Sequence, residues 1–254
     1  MTNFQADDGT LINYEVHGEA PGKESLLLLP GLLGSISKQW HDFLPHLTSY
    51  FRVILMDLRG HGHSENKASL LSPERMVLDI EELLAHLKIT QVHVAGYSLG
   101  GYLGLMLHLK QPRLVSTLLM HATKFYWTEE SVAQMHSQLD PDIIGEKVPK
   151  YANQLANEHG SRWRMLVRQA ADLTTWTHKN GLTEGMVKRV QCPTLVSVGD
   201  RDELVLLREA QRLSRLMPNG ELLVLPGVSH PFKSIHPVPL LPMMQVFHRH
   251  PDKR

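Results

Sequence analysis

The sequence is poor in cysteine, in aromatic side chains and in net charge, and each shortage narrows what the protein does. Cys192 is the single cysteine among 254 residues, which excludes an intramolecular disulfide and a multi-thiolate metal site, so the fold rests on its core. Lys plus Arg number 26 and Asp plus Glu number 26, and no long stretch departs from that balance. A dominant attraction to nucleic acid or to anionic lipid is therefore not expected. Apolar runs are short as well: the densest, residues 26–33, is broken by Pro30 and Gly31, far below the roughly 18 residues a bilayer span needs. Residues 1–9 carry Asp7 and Asp8 and lack the basic start and apolar middle of a secretory signal, so the expected location is the cytoplasm. Internal repeats and low-complexity tracts are lacking too.

What is present has ordinary globular proportions, with 42% hydrophobic and 20% charged residues, and implies one large domain with room for an inserted subdomain. Continuous apolar runs recur at residues 26–29, 53–56, 92–95, 114–120, 194–198 and 222–225, the signature of strands buried on both faces. Helical spacing fills the intervals. In residues 73–87, Met76, Ile80, Leu83, Leu84 and Leu87 share one face and Glu74, Glu81 and Glu82 the other, and Ser72 followed by Pro73 makes a cap and first turn. Strand and helix alternating in this way predict an α/β fold: a mostly parallel, doubly wound sheet covered on both sides. Residues 11–17 alternate apolar and polar, as in an antiparallel edge hairpin. Between residues 122 and 190 the pattern is helical, with Met135, Leu139, Ile143, Leu155, Trp163, Leu166 and Val167 as apolar contacts and a nearly even charge. The division expected is a core of residues 1–121 and 191–254 with a helical cap, 122–190, inserted between two strands. The polar tail, 248–254, is expected to fray.

The strongest chemical signal is Gly96-Tyr97-Ser98-Leu99-Gly100, directly after one predicted strand and at the start of a helical stretch that runs to Lys110. The five-residue pattern alone arises readily by chance; its strand-turn-helix setting makes it a nucleophile elbow, which lifts a serine above the sheet edge while small flanking residues let backbone approach. A serine hydroxyl needs a base, and the base needs a partner that orients it. Downstream, Gly199-Asp200-Arg201-Asp202 follows one strand and Pro226-Gly227-Val228-Ser229-His230 follows the last, both at carboxyl ends, where open parallel sheets build sites. His230 is the base on this reading, and either Asp200 or Asp202 its partner.

Nearly the whole chain resembles the α/β-hydrolase family, in which serine, acid and histidine follow in this order and the interval between nucleophile and acid holds a helical cap. The resemblance implies Asp202 as the acid, three positions after the glycine and three before Val205, leaving Asp200 a turn role. It also implies that the loop Leu29-Pro30-Gly31-Leu32-Leu33-Gly34 lends one oxyanion-hole amide, Leu32, and that Leu99 lends the other. The loss of one such donor removes about 3 to 4 kcal/mol of transition-state binding. Pro30 stands where most relatives have His, and is similar to the valacyclovir-hydrolase-like and enol-lactonase-like branch. The run from Asp57 to Ser64, Asp-Leu-Arg-Gly-His-Gly-His-Ser, resembles a structural turn of the family.

The activity implied is that of a serine esterase acting through an acyl-enzyme on small to medium carboxylic esters. The same three groups serve acyltransferases, lactonases and carbon-carbon bond hydrolases, and a non-catalytic ligand-binding role on the same fold is the alternative of a different class. The expected partner is a small acyl substrate, without cofactor or metal. His61 and His63 have no third ligand nearby. Candidate substrate contacts are His121, Phe125, Trp127 and Trp163; Phe125, Tyr126 and Trp127, with Trp163 and Trp176, either line an apolar pocket or form the cap's own core. His93 and Cys192 are expected to pack.

Overall fold

A computed structural model describes residues 2–249. Eight strands form one sheet: β1 (Thr2–Gln5), β2 (Leu11–His17), β3 (Ser25–Leu29), β4 (Arg52–Met56), β5 (Val92–Tyr97), β6 (Val115–His121), β7 (Thr194–Gly199) and β8 (Gly220–Leu225). Their order is β1-β2-β4-β3-β5-β6-β7-β8. β1 with β2, and β2 with β4, pair antiparallel, and every later pair is parallel. The mostly parallel sheet and its antiparallel edge hairpin are thus as the sequence predicts.

The continuous apolar runs are explained by two cores, except at residues 222–225, expected to be buried on both faces: β8 is an edge strand, and Leu222 and Val224 are exposed. Leu27, Leu29, Ile54, Met56, Val94 and Met120 face one side, against α2 (Pro73–His86) and α3 (Leu99–Lys110). Leu26, Leu28, Val53, Leu55, Ala95 and Leu119 face the other, against α1 (Leu44–Leu47), Trp40 and the last helix. Because successive strand residues point to opposite faces, a strand covered on both sides is mostly apolar, and its buried polar residues are hydrogen-bonded, as Thr117 is to His93 and His248. Ser72 caps α2 by accepting the Arg75 N–H at 3.2 Å, with Pro73 in the first turn.

Five helices separate β6 from β7: α4 (Glu129–Gln138), α5 (Pro141–Lys147), α6 (Pro149–His159), α7 (Trp163–Asn180) and α8 (Glu184–Val187). Thr128 and Ser131 form a capping box on α4, and Asp140 caps α5 ahead of Pro141. Leu155, Leu166 and Val167 are buried as expected, but the contact assigned to Ile143 is made by Ile144: Ile143 is 37% exposed and Ile144 3%. The short helix begins at Pro141 and its phase puts the second isoleucine inward. Beyond β7 come α9 (Leu207–Leu216) and α10 (Pro237–Arg249), in which Val238 is non-helical, so that the regular helix starts at its second proline.

The frayed tail is corrected at its first two residues. His248 is buried in α10, its Nδ1 2.6 Å from the Thr117 hydroxyl, and the Arg249 guanidinium lies over the Tyr50 ring. Residues 250–254 lie outside the described residues. Among those described, no helix is long and apolar enough to cross a membrane.

Candidate active site

Ser98 stands between β5 and α3, as the N-cap of the helix, with φ 51° and ψ −113°, a conformation a residue with a Cβ rarely adopts. The flanking glycines make it possible. A Cβ on Gly96 would sit 2.3 Å from the Gly100 carbonyl carbon, and one on Gly100 2.4 Å from the Leu29 carbonyl oxygen. The Ser98 N–H donates to His121 O at 2.8 Å, tying the elbow to the end of β6.

His230 arrives from the loop after β8. That loop crosses the end of β7 so closely that a Cβ on Gly199 would lie 2.0 Å from the Val228 carbonyl oxygen. The Tyr97 hydroxyl donates to His230 O at 2.7 Å, and the Ser234 hydroxyl donates to Ser229 O at 2.7 Å. His230 Nδ1 meets both carboxylate oxygens of Asp202, at 2.9 and 3.1 Å. A carboxylate only accepts, so the ring proton is on Nδ1, and the bare Nε2 faces the Ser98 hydroxyl at 3.4 Å. Contacts of this kind are often that loose before substrate binds. The Asp202 side chain is wholly buried and accepts the N–H groups of Leu204 and Val205 at 2.9 and 2.7 Å. Asp200 faces away, its carboxylate accepting the Gly227 N–H at 2.6 Å. The structure therefore brings Ser98, His230 and Asp202 together and gives Asp200 a turn.

Leu99 is the first residue of α3, whose N-terminal amides receive no side-chain cap, and Leu32 stands in the turn after β3. Within the described residues neither amide is spent on an acceptor. Ser98, His230, Leu32 and Leu99 all border one cavity of about 1130 Å³, partly open to solvent. Its upper wall comes from the inserted helices, with Met135, Leu139 and Tyr151 beside polar Gln138 and Asn157. Lys124 also reaches it, paired to Glu209 at 2.8 Å.

Of the expected substrate contacts, the structure puts Trp127 on this cavity. Phe125 is turned to a neighbouring hollow, packed edge-on against Tyr126. Trp163 lies under the Arg164 guanidinium, away from the site. His121 is buried behind the elbow, stacked on Tyr97, with Nδ1 3.0 Å from the Ser197 hydroxyl, and burial lowers its pKa to about 4. All three are thereby placed off the cavity: the aromatics pack within the insertion and the histidine supports the elbow.

His61 is also interior. Its Nδ1 contacts Arg59 O at 3.0 Å, and burial lowers its pKa to about 3. The Asp57-to-Ser64 turn is structural: Asp57 accepts the Ile36 and His63 N–H groups, and Arg59 grips Asp79 through two nitrogens at 2.8 and 2.6 Å. Cys192 is buried and its thiol is pushed up to about 11. His93 packs, with Nδ1 2.7 Å from Thr117 Oγ1. Reading the sequence missed Tyr97, whose only signal is its place inside the elbow, and Glu158 and His159, which nothing local distinguishes.

Residues 24–164 match the family model described as alpha/beta hydrolase fold. A serine hydrolase of Homo sapiens, BPHL, is 27% identical over 234 residues, covering 89% of this chain and 78% of that one. Among solved structures, the enol-lactonase of Burkholderia xenovorans LB400 is 20% identical with a TM-score of 0.77, covering 96% of this chain and 98% of its own. A thermophilic esterase of Thermogutta terrifontis is 20% identical with a TM-score of 0.79, covering 98% of both chains. At such identities the two structures speak for the fold.

Proposed function

The chain belongs to the alpha/beta hydrolase fold family, and from that premise we propose that it is a serine hydrolase cleaving small to medium carboxylic esters through an acyl-enzyme. The observation that carries the reading is the unbroken line of contacts from Asp202 through His230 to Ser98, beside two unspent amides. His230 Nε2 takes the Ser98 proton as Oγ bonds to the substrate carbonyl carbon, and the carbonyl π pair moves onto its oxygen. That oxyanion is held by the Leu32 and Leu99 amides, aided by the positive end of α3. When the tetrahedral species collapses, the bond to the alkoxy oxygen breaks and His230 gives that oxygen its proton. Water then repeats the sequence: His230 removes its proton, hydroxide adds to the acyl carbon, and Ser98 leaves with the proton returned. Asp202 keeps the proton on Nδ1 and stabilises the imidazolium that forms within each half-reaction.

The cap in this proposal is residues 122–190, which roof the cavity through α4 and α6. The cavity, somewhat above the usual volume of a small-ligand site, has room for an ester of small to medium size. The test is turnover of a panel of short-chain nitrophenyl esters, a thioester and a lactone by the wild type and Ser98→Ala. Ester hydrolysis that falls by at least about 10⁴ in the variant is expected. Turnover of none, or an undiminished variant, overturns the proposal.

A further inference from the structure

The loop that carries Leu32 holds a shape its own sequence does not favour. The Gly34 N–H donates to Gly31 O at 3.0 Å and closes a four-residue turn. Leu33, third in that turn, has φ 59°, a value that favours glycine because a Cβ there crowds the following carbonyl. Restraints from the core hold the two ends: Gln39 Oε1 accepts the Gly31 N–H and Asp57 Oδ1 the Ile36 N–H, each at 2.8 Å.

The remaining restraints come from the inserted helices. At the end of α6, Glu158 Oε2 accepts the Ser35 hydroxyl at 2.6 Å, and His159 reaches Leu33 O at 3.1 Å. The tautomer of His159 follows from its other contact. A backbone N–H only donates, so Nδ1, 2.8 Å from Gly62 N, is the acceptor. The proton is on Nε2 and goes to the Leu33 carbonyl. Burial keeps the ring neutral, lowering its pKa. The Leu33–Gly34 peptide is thus gripped at both ends, one residue from the Leu32 amide. The corner between α6 and α7 is itself fastened, since Arg162 donates to Ser64 O at 2.7 Å and to Gly62 O at 3.0 Å.

We propose that His159 is a positioning residue for the oxyanion hole: by holding the Leu33 carbonyl it keeps the strained turn, and with it the Leu32 amide, aimed at the reacting carbonyl. Docking of the inserted helices is then a condition of transition-state binding as well as a roof over the substrate. His159 touches no reacting atom and acts through Leu33. The inference rests on Leu32 being an oxyanion donor in the reading above.

The experiment compares His159→Leu, which removes both hydrogen bonds at similar volume, with His159→Gln, which offers an acceptor and a donor to the same partners. Rates are taken per site titrated with a fluorophosphonate, so loss of folded protein does not count as loss of catalysis. For a short-chain nitrophenyl ester, kcat of His159→Leu is expected to fall at least about tenfold with KM within about threefold, since deleting a whole donor costs about 10²–10³. His159→Gln is expected to recover most of it. The inhibition constant of a boronic acid, whose adduct is tetrahedral and anionic, should rise by the factor that kcat/KM falls. Wild-type kcat per titrated site and unchanged boronate inhibition in His159→Leu overturn the inference. Should that variant not fold, His159→Asn, too short to hold both partners, is read in the same way. Failure of the wild type to react with the fluorophosphonate at Ser98 instead overturns the hydrolase reading beneath it.

Discussion

Two aspartates two positions apart have different fates because only one faces the imidazole. Asp202 is buried and holds His230 Nδ1 at 2.9 Å, whereas Asp200 is spent on the Gly227 amide. In the proposed cycle Asp202→Asn places the wrong hydrogen-bonding group against Nδ1 and lowers kcat by about 10⁴, while Asp200→Asn lowers it less than about tenfold. Steady-state rates on a nitrophenyl ester check the ranking, and the reverse order reassigns the acid. The placement of Ser98 and His230 was legible because each sits in a short motif at a strand end, whereas Asp200 and Asp202 share one such motif and only the family resemblance separated them. Phe125 and Trp163 were not, because an aromatic in a helical insertion reads the same whether it lines a cavity or packs beside Arg164 or Tyr126. His159 was illegible for a different reason. Its partners, Leu33 and Gly62, lie 126 and 97 residues away and offer only backbone atoms, which leave no trace in side-chain pattern.

Among the elements, the strands were the most legible, since a strand buried on both faces is mostly apolar: β3 runs through four leucines after Ser25, and His93 in β5 and Ser197 in β7 are buried polar breaks in otherwise apolar interiors. Helices of the insertion were legible as a class, while the inward face of the shortest was not. In α5 one turn decides which isoleucine is core, and Pro141 sets the phase. Ile144→Ala is expected to cost about 2–4 kcal/mol in urea unfolding and Ile143→Ala less than about 1 kcal/mol. Equal costs contradict that packing. The elbow makes a sharper demand. Gly100→Ala pushes a methyl group against the Leu29 carbonyl, so either α3 or the oxyanion loop must move. The expected result is a lower Tm together with a loss of kcat of at least about a hundredfold, as for a lost oxyanion donor; a variant with both unchanged contradicts the close approach.

Over the whole molecule, several histidines are buried neutral, and this sets the direction of its acid sensitivity. Folded, His61 and His121 stay unprotonated down to about 3 and about 4, whereas in the unfolded chain each takes a proton near 6.5. Below about pH 6.5 the unfolded state binds more protons, so stability falls as the pH drops toward about 4. Tm should decline over that interval, and decline less in His121→Asn; a Tm that rises on acidification contradicts the burial. The same whole-molecule view frames the central claim, because Ser98, Asp202 and His230 follow three different strands of one sheet, β5, β7 and β8, and meet only when all of it is folded. The most direct measurement is peptide mapping of the folded protein after treatment with a fluorophosphonate, alongside Ser98→Ala. The account predicts a single stoichiometric adduct on Ser98, lost in the variant together with ester hydrolysis. An unmodified Ser98 in folded protein, or hydrolysis that persists in Ser98→Ala, contradicts it.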